Sequence, residues 1–247
     1  MAAEPSVHDL QSEADAAFAR GAWEEALRGH LAVVRAAPFA ARPLFRLADA
    51  LLNLEHREAA KGVYKGLAWH HIRGGRPLPG LVATKMVLAL DPGLDDLLVI
   101  LAELYSSESD RTGDVDAPPA FELPTGAPAQ REALEGPALA AEAARVAADT
   151  DAITEIPELL PPIPLFSHLG EEAFLAVLGS LRLRRFGPGE LIIREGEVGD
   201  SFFMLAGGEV AVSRNMGGED TLLARLHRGA VFGEMALVSR APRVATV

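Results

Sequence analysis

The 247-residue sequence predicts an α+β, multidomain chain. It comprises an all-α helical-repeat domain at 1–105, a linker at 106–159 with a helix at about 132–149, and an antiparallel β-barrel or jelly-roll domain at 160–247. Three observations predict this. Apolar residues in the first third recur in pairs 34 residues apart. A polar, acidic, proline-bearing stretch then interrupts the helical period. Beyond it, short apolar runs alternate with glycine turns.

The helical part is read first. Residues 8–36 suggest two helices, with Gly21 as the turn and Pro38 closing the second. Residues 41–72 repeat the design: Leu10 and Leu44, Ala14 and Ala48, Glu24 and Glu58, and Ala26 and Ala60 are the matched pairs. Ala14, Gly21, Trp23, Ala26 and Pro38 resemble the small, turn, aromatic and closing positions of the tetratricopeptide repeat, a helix–turn–helix unit of this period. The second unit keeps Ala48, Ala60, Tyr64 and Leu67 but has Glu55 where a turn glycine is usual. The glycine- and proline-rich run Gly74 to Gly80 reads as a helix break, and Leu81–Leu90 and Leu94–Tyr105 as a degenerate third unit or cap. The resemblance implies a protein partner bound through the repeats.

Residues 106–131 carry Pro118, Pro119, Pro124 and Pro128 among acids and read as linker. Residues 132–149 are rich in Ala, Glu and Arg and read as helix. Pro157, Pro161, Pro162 and Pro164 form a second, stiffer joint. Ser167 is the expected N-cap of a short helix over Glu171–Ser180.

From Leu181 onward the expected strands are Leu191–Ile193, Phe202–Leu205, Val210–Val212 and Leu222–Leu226, with Asn215-Met216-Gly217-Gly218 as a hairpin tip. The run from Phe232 through Gly233, Glu234, Met235 and Ala236 to Arg243, Val244, Ala245, Thr246 and Val247 resembles the phosphate-binding cassette of cyclic-nucleotide-binding domains. Phe186–Glu190, Glu195-Gly196 and Gly207–Val210 are similar to that family's barrel turns. The chemistry of such a cassette follows from its residue types. Gly233 permits a tight turn, and N–H groups near Met235 and Ala236 can face an anion. Arg243 offers a charge-assisted fork to a phosphate, and the Ala245 N–H adds a donor. Glu234 is an acceptor for a ribose hydroxyl and a neighbour able to balance the Arg243 charge.

The resemblance therefore implies a cyclic nucleotide ligand and a site of Gly233, Glu234, Met235, Ala236, Arg243, Val244, Ala245 and Thr246. In this family a Thr after the cassette arginine favours cGMP. Val244 lacks the hydroxyl, so cAMP is expected, with cGMP or another cyclic nucleotide the alternatives. The family's fold continues past the cassette with strands and helices, so the domain reads as incomplete at its C-terminus. Two other readings are a ligand-free interaction scaffold, and the regulatory part of a longer enzyme or transcription factor.

Composition bounds the rest. The chain has no cysteine, which removes disulfides and thiolate chemistry and fits a cytoplasmic setting. The net charge is −12, of which −11 falls in residues 1–164, so contact with nucleic acid or anionic lipid is not expected there. The longest apolar run, Leu97–Ala102, is far short of the roughly 20 residues a membrane span needs. No basic, apolar leader opens the sequence, and no metal-ligand or catalytic motif is found, so a soluble, non-enzymatic regulator is expected.

Overall fold

Ser6 starts the first helix. Its hydroxyl accepts from the Asp9 N–H at 3.2 Å, while the Asp9 carboxylate accepts from the Ser6 N–H at 3.1 Å, a closed capping box. Helix α1 (Val7–Ala19) is followed by α2 (Trp23–Ala36), α3 (Ala41–Asn53), α4 (Arg57–Arg73), α5 (Pro77–Leu90), α6 (Asp96–Tyr105), α7 (Gly136–Ala148) and α8 (Glu171–Ser180). The computed structural model describes residues 5–94, 96–119, 121, 123–125, 133–148 and 156–247. Pro128, Asp95 and the linker at 126–132 and 149–155 lie outside the described residues. The chain forms two compact units, Met1–Ser180 and Leu181–Val247.

In the first unit each of α1 to α6 packs on the next. The apolar members of the 34-residue pairs explain why. Leu10, Leu44, Ala14, Ala48, Ala26 and Ala60 are all buried. Small residues set the spacing: a β-carbon at Gly29 would come within 2.7 Å of the Ala14 β-carbon, and one at Gly80 within 2.8 Å of Ile72 Cγ1. Large residues then fill the core, with Tyr64, Tyr105, Leu27, Leu47, Leu67 and Leu101 among the largest fully buried side chains. Each such aliphatic side chain contributes about 2–3 kcal/mol when withdrawn from water.

The two helical turns differ in chemistry but not in geometry. Gly21 has φ 77°, and Glu55, 34 positions later, adopts the same left-handed backbone at φ 64°. The Gly74–Gly80 run breaks the helix as expected, since α4 ends at Arg73 with Gly74 as its cap and Gly75 at φ 71°. The next helix starts earlier than the expected Leu81: α5 begins at Pro77, where the missing N–H is one the first turn leaves unpaired anyway. Helix α7 lies against α2, α3 and α4 and buries Leu139, Ala140, Ala143, Val146 and Ala147. Arg35 and Arg145 both pair with Glu142, and their bonds hold its carboxyl down at about 2, Arg145 contributing most.

Ser167 does not cap α8. Its hydroxyl turns back to accept from the Ile163 N–H at 2.8 Å, and the Glu171 N–H donates to the Glu108 carboxylate at 3.2 Å. Helix α8 packs on α6, so it belongs to the first compact unit. Among the described residues no helix is long and apolar enough to cross a membrane.

The second unit holds β1 (Phe203–Met204), β2 (Glu209–Met216), β3 (Glu219–His227), β4 (Val231–Phe232) and α9 (Glu234–Ser239). Its sheets are two-stranded and antiparallel: β1 with β4, and β2 with β3. The β2–β3 hairpin turns at Gly217-Gly218, with φ 71° and 100°, the positive values a tight two-residue hairpin turn requires. Asn215 Oδ1 accepts from the Gly218 N–H at 3.0 Å and closes it. The register slips between Val212 and Ser213, and there the chain end joins: Ser213 and Thr246 exchange N–H···O bonds, both 2.8 Å. Leu191–Ile193 forms no named strand, yet Ile193 pairs with Val247 through 3.1 and 2.9 Å bonds.

Candidate functional site: a cavity between the hairpin and the last helix

One cavity of the second unit, about 260 Å³, is lined by Val212, Ala224 and Leu226 of the hairpin, by Ile193, Val231 and Phe232, and by residues 233–236 and 243–247 except Thr246. Its walls are apolar except for two charged side chains, Glu234 and Arg243. Phe232 of the wall stacks on Phe203 at 5.4 Å.

Local sequence explains how the charges arrive there. Gly233 has φ 83°, a left-handed conformation that glycine adopts without strain, and it turns β4 into α9. Glu234 is thereby the first residue of α9, half-buried at the cavity. The segment after α9 returns through Arg240, also left-handed at φ 51°, and brings Arg243 back under the same turn. Its backbone is held on both sides: the Arg243 N–H donates to Glu197 O, and Arg243 O accepts from the Gly196 N–H, each at 2.8 Å.

Arg243 is only 8% exposed. A buried guanidinium needs partners. It donates from Nη1 to Gly233 O at 2.5 Å and from Nη2 to Ser201 Oγ at 3.3 Å. Two close approaches make room for it. A β-carbon at Gly233 would lie 2.8 Å from Nη1 and 2.9 Å from Ile193 Cδ1. A β-carbon at Gly199 would overlap the guanidinium itself. The charge balance with Glu234 expected from sequence is not how Arg243 is held: its side-chain donors go to the Gly233 carbonyl and Ser201 Oγ.

The structure thus brings Gly233, Glu234, Met235, Ala236, Arg243, Val244 and Ala245 to one cavity. Thr246 is used differently. Its hydroxyl accepts from the Glu195 N–H at 3.1 Å and its backbone pairs with Ser213, so it fastens the chain rather than lining the wall. Sequence reasoning missed Gly199, Ser201 and the apolar wall from Val212, Ala224 and Leu226. The strand alternation of the hairpin was a signal for the wall. Gly199 reads in the sequence only as a turn glycine and Ser201 carries no local signal, because their role comes from Arg243, far along the chain from both.

Residues 183–247 match the family model of the cyclic nucleotide-binding domain. The chain is 38% identical over 90 residues to a cAMP-dependent protein kinase regulatory subunit of Mycosarcoma maydis, covering 36% of this chain and 17% of that protein. It is 37% identical over 91 residues to cGMP-dependent protein kinase, isozyme 1, of Drosophila melanogaster, covering 36% and 12%. A cyclic nucleotide-gated potassium channel of Rhizobium etli is 40% identical over 90 residues, covering 36% and 24%. The chain spans at most about a quarter of the length of these relatives. The chain contains a cyclic nucleotide-binding domain, similar to the regulatory parts of cyclic-nucleotide-dependent kinases.

Proposed function

We propose that this protein is a non-enzymatic regulator that binds cAMP in the cavity of its second unit and a protein partner on its helical unit, in the cytoplasm. The observation that carries the reading is Arg243, buried at the cavity with Gly233 and Glu234 beside it. A cyclic phosphate is a monoanion with two free oxygens, matched by a guanidinium fork. Glu234 supplies an acceptor for a ribose hydroxyl, and the apolar wall of Val212, Ala224 and Leu226 suits a base. Val244, without a hydroxyl, favours adenine over guanine in this reading. The helical hairpins are read as tetratricopeptide-like repeats on their 34-residue pairing and close helix approach, and the two sheets as part of a jelly roll.

Calorimetric titration with cAMP and cGMP in parallel tests the reading. Micromolar or tighter binding of cAMP, weaker binding of cGMP, and loss of both in Arg243→Ala is the expected pattern. Absence of heat with either nucleotide overturns it. Val244→Thr is expected to move the preference towards cGMP.

A further inference from the structure

The acidic, proline-bearing segment after α6 is not a bare tether. Its residues Pro118, Pro119, Phe121 and Leu123 lie on the helical unit as a strap. Pro118 rests against the Gly75 backbone, at ordinary contact distance of 3.5 Å from where a β-carbon would stand. Arg76 Nη2 donates to Pro119 O at 2.8 Å, and the same guanidinium sits 4.4 Å above the Phe121 ring. Phe121 is 5.4 Å from Phe39 and 6.0 Å from His70, and Phe39 itself stacks flat on His70 at 5.1 Å. Two residues on, Leu123 packs against Val7, Leu10, Ala32 and Val33 of α1 and α2. The strap therefore runs from the end of α4, past the α2–α3 turn, to the α1–α2 pair.

The strap's contacts are those of a ligand on a receptor. Phe121 and Leu123, two apart in the sequence, both make apolar contacts with the helical unit, the anchors a bound peptide uses. The proline pair before them restricts the free segment and lowers the entropy lost on docking. Phe121 is still 43% exposed, so that ring is held by contacts on one side only. Asp114 and Asp116 give the segment the opposite charge to Arg73, the last residue of α4, and Arg76, which precedes α5.

We infer that the surface formed by Phe39, His70, Arg76 and the α1–α2 pair is a docking site for an acidic, proline-led peptide with a Phe-x-Leu core, and that Pro118, Pro119, Phe121 and Leu123 occupy it in cis as a self-inhibitory ligand. The inference deepens the partner half of the proposed function and stands apart from its nucleotide half, since its test contains no nucleotide.

The test uses the full chain and a fluorescein-labelled peptide of sequence 114–125. Fluorescence anisotropy is followed for the parent and for Phe121→Ala with Leu123→Ala. The peptide is expected to bind the strap-released variant at least ten-fold more tightly than the parent, and Phe39→Ala added to that variant is expected to remove the gain. Equal binding to parent and variant, or no binding to either, overturns the inference. Should the double variant lose the parent's helical circular dichroism, Phe121→Ser alone, at a side chain nearly half exposed, replaces it under the same ten-fold criterion. Calorimetry with cAMP on the parent is scored separately, so failure of the nucleotide reading and failure of this one are distinct results.

Discussion

Arg243 Nη1 donates to the carbonyl of Gly233 at 2.5 Å, so the buried cation and the turn that opens α9 are fixed to each other. A guanidinium has five donors, and two are used within the protein, on Gly233 and Ser201. In the proposed function the remaining donors serve the phosphate. Arg243→Lys keeps the charge and loses the fork. The expected result is cAMP binding weakened by about 10- to 100-fold, as loss of a charge-assisted pair worth ~1.5–3 kcal/mol implies. Calorimetry on the parent and variant checks it, and unchanged affinity contradicts it.

Gly199 tests the same arginine from behind. Its β-carbon would overlap the guanidinium, so Gly199→Ala must displace Arg243. Nucleotide affinity is expected to fall by about ten-fold, with a loss of roughly 1–3 kcal/mol in the stability of the second unit from overpacking. Substitution at Gly207, where a β-carbon meets no atom within 4 Å, is the matched control and should leave affinity unchanged.

Glu55 carries a left-handed backbone in the position where the first repeat uses Gly21. A non-glycine residue there costs about 1–2 kcal/mol, partly returned by the greater freedom of glycine in the unfolded chain. Glu55→Gly should therefore stabilise the helical unit by up to ~1 kcal/mol in urea unfolding. A destabilised variant would show that the Glu55 turn is not strained.

His30 is buried on α2, and withdrawal from water pulls its pKa down to about 4, against the partial compensation of Asp15, whose carboxylate is 3.9 Å away. Arg42 and Arg46 push in the same direction as burial, and Asp49 opposes them. The sign follows: between the unfolded value of about 6.5 and the folded value of about 4, the unfolded chain takes up a proton that the folded chain refuses. Stability is full above the unfolded value and is lost as pH falls through this window, by about 2 kcal/mol from pH 7 to pH 5. His30→Gln should flatten that part of the profile in urea titrations at both pH values. An identical slope in parent and variant would exclude His30 as its source.

The Tyr105 hydroxyl donates to Ile72 O at 2.6 Å inside the core, and burial raises its pKa. Tyr105→Phe leaves a buried carbonyl without that partner. The expected loss is about 1–2 kcal/mol of unfolding free energy, with the helical circular dichroism unchanged.

The 34-residue pairing, the glycine turns and the cassette run were legible in the sequence because each is a local pattern. Side-chain period follows from backbone geometry, and a left-handed turn selects glycine wherever it occurs. Leu10 with Leu44 and Gly217-Gly218 are of this kind, as are Gly233 and Arg243. The break after Arg73 was legible, but the sequence reading starts α5 at Leu81 instead of Pro77, because proline is excluded from a helix interior but welcome in its first turn, and sequence alone did not say which turn this was. Ser167 was equally ambiguous: its hydroxyl serves a cap or a turn, and Glu108, 63 residues before Glu171, took the helix end instead. What the sequence by itself determined is therefore the periodic helices, the hairpin and the residue types of the cassette. Tertiary structure decided that Gly199 and Ser201 cradle Arg243, that Thr246 fastens the chain, and that Phe121 and Leu123 lie on the helical unit. The reason is physical: those roles are contacts between residues distant in the chain, and only packing, which fills space and pairs buried polar groups irrespective of sequence separation, sets them.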